Sequence, residues 1–140
     1  MNEGVSPTKQ IRSAYARWLE TRGGSAEDFI AMLSPEIVMR TVLGADVPDE
    51  MSLGMTGIDG ARAYFASVAR DWEMIDYPTE EIVAQDDTVV WIGSCHWRNR
   101  SSFAEVNSPK VDIWRFRDGK AVEVLEMFDS LGFARAIRLV

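Results

Sequence analysis

The sequence is poor in the residues that build metal and redox centres: among 140 residues there is one cysteine, Cys95, and one histidine, His96. A single cysteine excludes an intrachain disulfide and any cysteine-rich metal site. Without a second histidine, a zinc site has too few ligands. Basic residues are also in the minority, 15 against 22 acids, for a formal charge of -7. Nucleic-acid surfaces need clustered Lys and Arg, and Arg98-Asn99-Arg100 is too short a run to supply one, so no nucleic-acid partner is expected. No stretch approaches the ~18 apolar residues of a membrane span, and Met1 to Gln10 is polar, without the apolar region of a signal peptide. The expectation is a cytoplasmic protein with no membrane partner. The glycines at 23-24 and 57-60 are not followed by a phosphate-loop lysine, and no cofactor is expected.

What is present is packing material. Apolar residues make up 46% of the chain, with five Trp and six Phe, and a chain of this length can bury roughly two thirds of its unfolded surface around one core. There is no internal repeat or linker, so residues 1-140 are expected to form a single domain. Ser6 can cap a helix that has Pro7 at its first position, and Ile11, Ala14, Tyr15, Trp18 and Leu19 then recur at helical spacing until Gly23-Gly24. Ser25 and Asp28 resemble a weak capping box for a short second helix carrying Phe29, Ile30 and Leu33, stopped before Pro35. Ile37 to Leu43 reads as a strand. Gly44 to Met55 reads as a loop that is oddly apolar at Met51, Leu53 and Met55, suited to a mobile lid over a cavity. Ile58, Ala61, Phe65, Val68 and Trp72 predict a third helix running out near Tyr77-Pro78.

The remainder reads as strands: Thr79 to Gln85 and Thr88 to Arg98 joined at Asp86-Asp87, a loop from Asn99 to Pro109, and a hairpin from Val111 to Asp129. The hairpin turns at Asp118-Gly119, a dipeptide that tolerates the positive φ angles of a tight two-residue turn. With a period of two, Asp112, Trp114 and Phe116 share one face of its first strand, and Val122, Val124, Glu126 and Phe128 share one face of its second. A carboxylate on an apolar face is a candidate for acid-base chemistry, because desolvation raises its pKa. The order α, α, β, α and then four strands predicts an α+β domain with helices on one face of an antiparallel sheet. Ile113 faces away from Asp112, and Trp91 and Trp97 share a face of the neighbouring strand. One helix layer cannot bury both sides of such a sheet, so a symmetric homodimer through its outer face is expected.

The element order, the run Thr56-Gly57-Ile58-Asp59-Gly60-Ala61, and the ending from Trp114-Arg115-Phe116-Arg117-Asp118-Gly119-Lys120 through Phe128-Asp129 resemble the SnoaL-like branch of the nuclear transport factor 2-like superfamily. That resemblance implies a cone-shaped curved sheet wrapped around N-terminal helices, with an apolar pocket at one end. The superfamily includes polyketide cyclases, ketosteroid isomerases, epoxide hydrolases, dehydratases and proteins with no catalysis. In Val111 to Phe116, Asp112 matches the isomerase acid that stays protonated beside the substrate oxyanion, an enzyme that is itself a standard case of a carboxyl kept neutral by an apolar site. The isomerase's first-helix Tyr falls on Trp18, with Tyr15 one turn away, and its base falls near Thr41. In Glu126 to Gly132, Asp129 matches the general base of SnoaL-like cyclases. The epoxide hydrolase pattern puts Glu126 on the last strand and Arg98 on a neighbouring one, where Asn99 and Arg100 stand in place of the following acid.

The resulting expectation is a cofactor-free cyclase or isomerase acting on a small apolar carbonyl compound. Asp129 is its base, Asp112 or His96 polarises the carbonyl, and Tyr15, Trp18, Met55, Trp114, Phe116, Glu126 and Phe128 contact the substrate. The alternative is a noncatalytic protein of the same fold that holds an apolar ligand or dimerises. Asp129 also suits the N-cap of a short C-terminal helix.

Overall fold

The computed structural model describes residues 6-44, 47, 49 and 54-140. Helix α1, Pro7–Glu20, begins where Ser6 accepts a hydrogen bond from the Lys9 amide, with Pro7 in the first turn. It buries Ile11, Ala14, Tyr15 and Trp18 as one stripe. Helix α2, Ala26–Ala31, lacks the expected side-chain cap, since the hydroxyl of Ser25 is buried without a hydrogen-bond partner. Strand β1, Leu33–Thr41, begins almost at once and runs through Pro35. A two-residue strand β2, Met55–Thr56, leads into α3, Gly57–Asp71. Strands β3, Trp72–Asp76, β4, Thr79–Gln85, β5, Thr88–Asn99, β6, Glu105–Arg117, and β7, Lys120–Met127, follow, and α4, Ser130–Ala136, ends the order.

The strands form one sheet in the order β2-β1-β7-β6-β5-β3, with β4 also pairing β5. The expected curved sheet around N-terminal helices is therefore what the chain forms, with one amendment: β1 runs parallel to β7, so the sheet is mixed. The hairpin turns where it was expected, with Asp118 at φ 53° and Gly119 at φ 79°. Two boundaries differ. The third helix stops at Asp71, and Trp72–Asp76 becomes a strand whose alternate residues Trp72 and Met74 point inward while Glu73 points out. The expected loop from Asn99 to Pro109 gives up its second half to β6, which starts at Glu105. Of the expected lid, Met51 and Leu53 lie outside the described residues.

Strands β3 and β4 lie end to end along β5, joined by a corner at Tyr77-Pro78. Gly93 makes that corner possible. A Cβ there would fall 2.2 Å from the Pro78 carbonyl oxygen and 2.7 Å from the Trp91 ring, and the same carbonyl accepts the Ser94 amide at 3.1 Å. The core fills the concave side of the sheet. Tyr15 stacks on Trp91 with ring centroids 4.3 Å apart, and Phe29 stacks on Trp114 at 6.0 Å. Trp91 and Trp97 thus face inward, and the outer face of the sheet carries aliphatic residues such as Val90 and Ile113 beside polar ones such as His96 and Arg115.

Candidate functional site

Alternation along β6 turns Lys110 and Asp112 to the inside, two residues apart on one face. Antiparallel pairing sets Glu126 of β7 directly opposite Asp112. The Lys110 ammonium donates to Asp112 Oδ1 at 2.5 Å and to Glu126 Oε1 at 3.0 Å. Each carboxylate gives its other oxygen to a tyrosine. Tyr15, from α1, donates to Asp112 Oδ2 and itself accepts from Trp114 Nε1 at 3.0 Å. Tyr64, from α3, donates to Glu126 Oε2 at 2.5 Å. The rings of Tyr77 and Trp91 lie 5.7 and 5.9 Å from the Lys110 nitrogen, within the range of a cation-π attraction.

These groups are deeply buried. The side chains of Lys110, Asp112 and Glu126 are 6%, 2% and 11% exposed, so Glu126 is the more exposed of the two acids. Burial pushes the Asp112 carboxyl up to about 6; Lys110 opposes that rise and the Glu126 charge adds to it. For Lys110, burial disfavours the ammonium, but Asp112 and Glu126 outweigh it and hold the amine well above its usual range. Tyr15, Tyr64 and Tyr77 are likewise pushed up, by burial first, and stay protonated donors. Cys95, also on the lining, rises to about 11 by burial and is no thiolate nucleophile.

Above this floor lies a cavity of about 80 Å³ with mostly aromatic walls, among them Trp18, Phe65, Trp97 and Phe133. A water needs roughly 10-15 Å³ on this measure, so the space suits a single ring with a short substituent. Among the described residues, no group of three His, Cys, Asp or Glu side chains could hold a metal ion. No helix among them is long and apolar enough to cross a membrane.

The structure brings together Asp112, Glu126, Tyr15, Trp18, Trp114 and Phe128 on the lining of this cavity. It leaves out four expected residues. Asp129 is exposed and caps α4, accepting from the Gly132 amide at 2.9 Å, a role worth about 1 kcal/mol. The register of β7 ends at Met127, and Asp129 lies past the point where a side chain would turn inward. His96 falls on the opposite face of β5 from Trp91, Cys95 and Trp97, and its Nε2 lies 2.6 Å from Glu105 Oε1. Met55 packs half-buried against the main core but is not on the cavity wall, and Phe116 is buried in that core. Sequence reading missed Lys110 and Tyr64. The signal for Lys110 was its two-residue spacing from Asp112. For Tyr64 it was the helical spacing from Ala61 to Val68.

A SnoaL-like domain family model matches residues 11-124. No curated protein matches the chain in sequence. Among solved structures, an NTF2-like protein from Burkholderia thailandensis superposes with a TM-score of 0.80 at 18% identity, covering 96% of this chain and 99% of that one. A putative isomerase from Bacillus subtilis gives 0.76 at 16% identity, covering 98% and 96%. A putative SnoaL-like polyketide cyclase from a Jannaschia species gives 0.70 at 19% identity, covering 97% of both chains. At these identities the likeness is one of fold.

Proposed function

The chain belongs to the SnoaL-like domain family, and on that premise we propose that it is a cofactor-free acid-base enzyme moving a proton on a small, largely apolar carbonyl compound. One observation carries the reading: two carboxylates bridged by an ammonium line an aromatic cavity, each with a tyrosine donor on its second oxygen. Glu126, the more exposed acid, takes the proton from the carbon next to the carbonyl. The electron pair left behind moves onto the carbonyl oxygen, where the Tyr64 hydroxyl can turn to donate to it. Asp112, its carboxyl pushed up to about 6 by burial, exchanges a proton around that pH, and Lys110 holds the two acids at fixed spacing. Returning the proton to a different carbon is an isomerisation; letting the enolate carbon attack a second carbonyl is a cyclisation.

A second reading has an observation of its own. Lys110, Asp112 and Glu126 place a cation between two acids on neighbouring strands, the arrangement that the epoxide hydrolase pattern sought at Arg98. In that reading Glu126 activates water and Asp112 protonates the opening ring oxygen.

Proton NMR in D2O separates these readings. With cyclohexanone as probe, the α-protons are expected to exchange faster with protein than without, and Glu126→Gln to slow that exchange by roughly 10²-fold or more. Conversion of cyclohexene oxide to its diol without ketone exchange would move the assignment to epoxide hydration. Tight binding with neither reaction would leave a noncatalytic ligand-binding module of the same fold.

The expected homodimer has a surface that suits it. Val90, Ile92, Val111, Ile113 and Leu125 are half-buried on the outer side of β5, β6 and β7, next to Met127, which is 42% exposed, and they adjoin through the pairs Val90 with Ile113 and Val111 with Met127. Two copies packed through this patch would bury it. Light scattering at tens of micromolar is expected to give twice the 15.7 kDa chain mass; the mass of one chain would refute the dimer.

A further inference from the structure

The floor of the cavity is unbalanced in charge and in hydrogen bonding. Asp112 and Glu126 face a single ammonium, and they and Lys110 are the only charged side chains among the described residues that line the cavity. Tyr15, Tyr64 and Lys110 already spend donors on these two acids, yet each carboxylate oxygen has a second lone pair. The floor is therefore rich in acceptors and short of donors. Its walls, meanwhile, include Trp18, Phe65, Tyr77 and Trp97, whose rings meet edge to face, with Trp18 and Phe65 centroids 5.6 Å apart and Tyr77 and Trp97 5.9 Å apart.

We infer that this cavity is a receptor for a small organic ammonium ion, with the protonated nitrogen reaching Glu126 and Asp112 and the hydrocarbon part lying among Trp18, Phe65 and Trp97. Two features favour the same ligand for separate reasons. A buried, uncompensated negative charge is costly and is relieved by a cation that donates hydrogen bonds to it. Aromatic faces attract a desolvated ammonium through their quadrupoles. A carboxylate or phosphate meets the opposite conditions: a net negative floor, and one ammonium whose charge the two acids already offset. Lys110 is thus a spacer between the acids and no anion anchor. The inference rests on reading the cavity as a ligand site but requires no turnover.

Its pH dependence follows from the groups around Asp112: Tyr15 from α1, Tyr64 from α3, Tyr77 at the corner between β3 and β4, Cys95 from β5, Lys110 on its own strand and Glu126 from β7. Burial brings the Asp112 carboxyl up to about 6; the tyrosines and the thiol are held protonated above that range and Lys110 is held charged. Above about pH 6 the floor is anionic and takes the cation. Below it Asp112 binds a proton and the preference fades.

Isothermal titration with three probes of one shape tests this: cyclohexylmethylammonium, cyclohexylmethanol and cyclohexanecarboxylate. At pH 8 the ammonium is expected to bind at least about tenfold more tightly than the alcohol, and the carboxylate more weakly than either. At pH 5 the ammonium should lose most of its advantage. Glu126→Gln should reduce ammonium affinity about tenfold at pH 8 while changing alcohol affinity less than twofold. Equal affinities for the three probes, tighter binding of the carboxylate, or no binding of any probe would overturn the inference. Ketone exchange with no preference for the ammonium would sink this inference and spare the proposed reaction. An ammonium preference without exchange or hydration would do the reverse.

Discussion

Replacing Lys110 with methionine is expected to be the most damaging single change at the site, lowering stability by about 3-5 kcal/mol at pH 8 and the melting temperature by something on the order of 10-20 °C. The loss comes less from the missing bond than from what stays behind. Asp112 and Glu126, opposite each other on β6 and β7, would be two buried carboxylates with only tyrosine donors to hold their charge. Lowering the pH lets one of them take up a proton, so the deficit of Lys110→Met should shrink at pH 5. Removing all three charges together, in Lys110→Met, Asp112→Asn, Glu126→Gln, should recover most of the stability, since the amides keep acceptors for Tyr15 and Tyr64. Denaturant melts of both variants at the two pH values make the comparison. A loss below about 1 kcal/mol for Lys110→Met at pH 8 would mean that the acids are hydrated through the cavity and that the bridge does not hold the site together.

Gly93→Ala is expected to be nearly as severe, about 3 kcal/mol or more, though it adds a single methyl group. That methyl would fall on the Pro78 carbonyl oxygen and against the Trp91 ring. Neither can retreat easily. Trp91 is fully buried, stacked on Tyr15 and hydrogen-bonded through Nε1 to Thr79 at 2.8 Å. The Pro78 carbonyl forms the corner that lets β3 and β4 share β5. Because Tyr77 and Trp91 both lie beside Lys110, the substitution should disturb the floor of the cavity as well as the sheet. Gly44→Ala is the control, since a Cβ there meets nothing within 4 Å, and it should melt like the parent. A urea midpoint for Gly93→Ala within error of the parent would show that the corner yields at little cost.

Much of this architecture could be read from the chain, and the parts that could not share a cause. The hairpin was legible because Asp118-Gly119 marks its turn, but the turn's register alone would pair Asp112 with Leu125; a bulge at Val122, which the sequence did not announce, shifts the pairing by one residue and sets Glu126 opposite Asp112. The first helix was legible because its cap, its proline and its apolar stripe agree. By contrast, Trp72 continues the helical spacing of Val68, so nothing local distinguished the last turn of α3 from the start of β3; pairing with β5 decided it. Pro109 argues against a central strand, yet it occupies an exposed position opposite Ser94 in the middle of the sheet. With the loop ending at Pro109 and the hairpin starting at Val111, Lys110 fell between the two. Asp129 went the other way: its match to a cyclase base was a match of sequence neighbourhood, while the strand ends at Met127 and leaves Asp129 exposed as the cap of α4. The tyrosines of the site come from two helices, and only the closed fold brings Tyr15 and Tyr64 to acids on β6 and β7.

The parallel pairing of β1 with β7 has a consequence for how the molecule comes into being. Thr41 lies beside Glu126, and Met39 beside Val124, so an early strand is completed by one that leaves the ribosome more than eighty residues later. Until then Ile37 and Met39 have no neighbour on that side, and the nascent chain carries an apolar edge awaiting its mate. The hairpin of β6 and β7 can assemble by itself on a short loop, but joining it to β1 closes more than half of the polypeptide, the slow kind of contact in folding. Holding that edge apart from other nascent chains during synthesis becomes a task for the cell's chaperones.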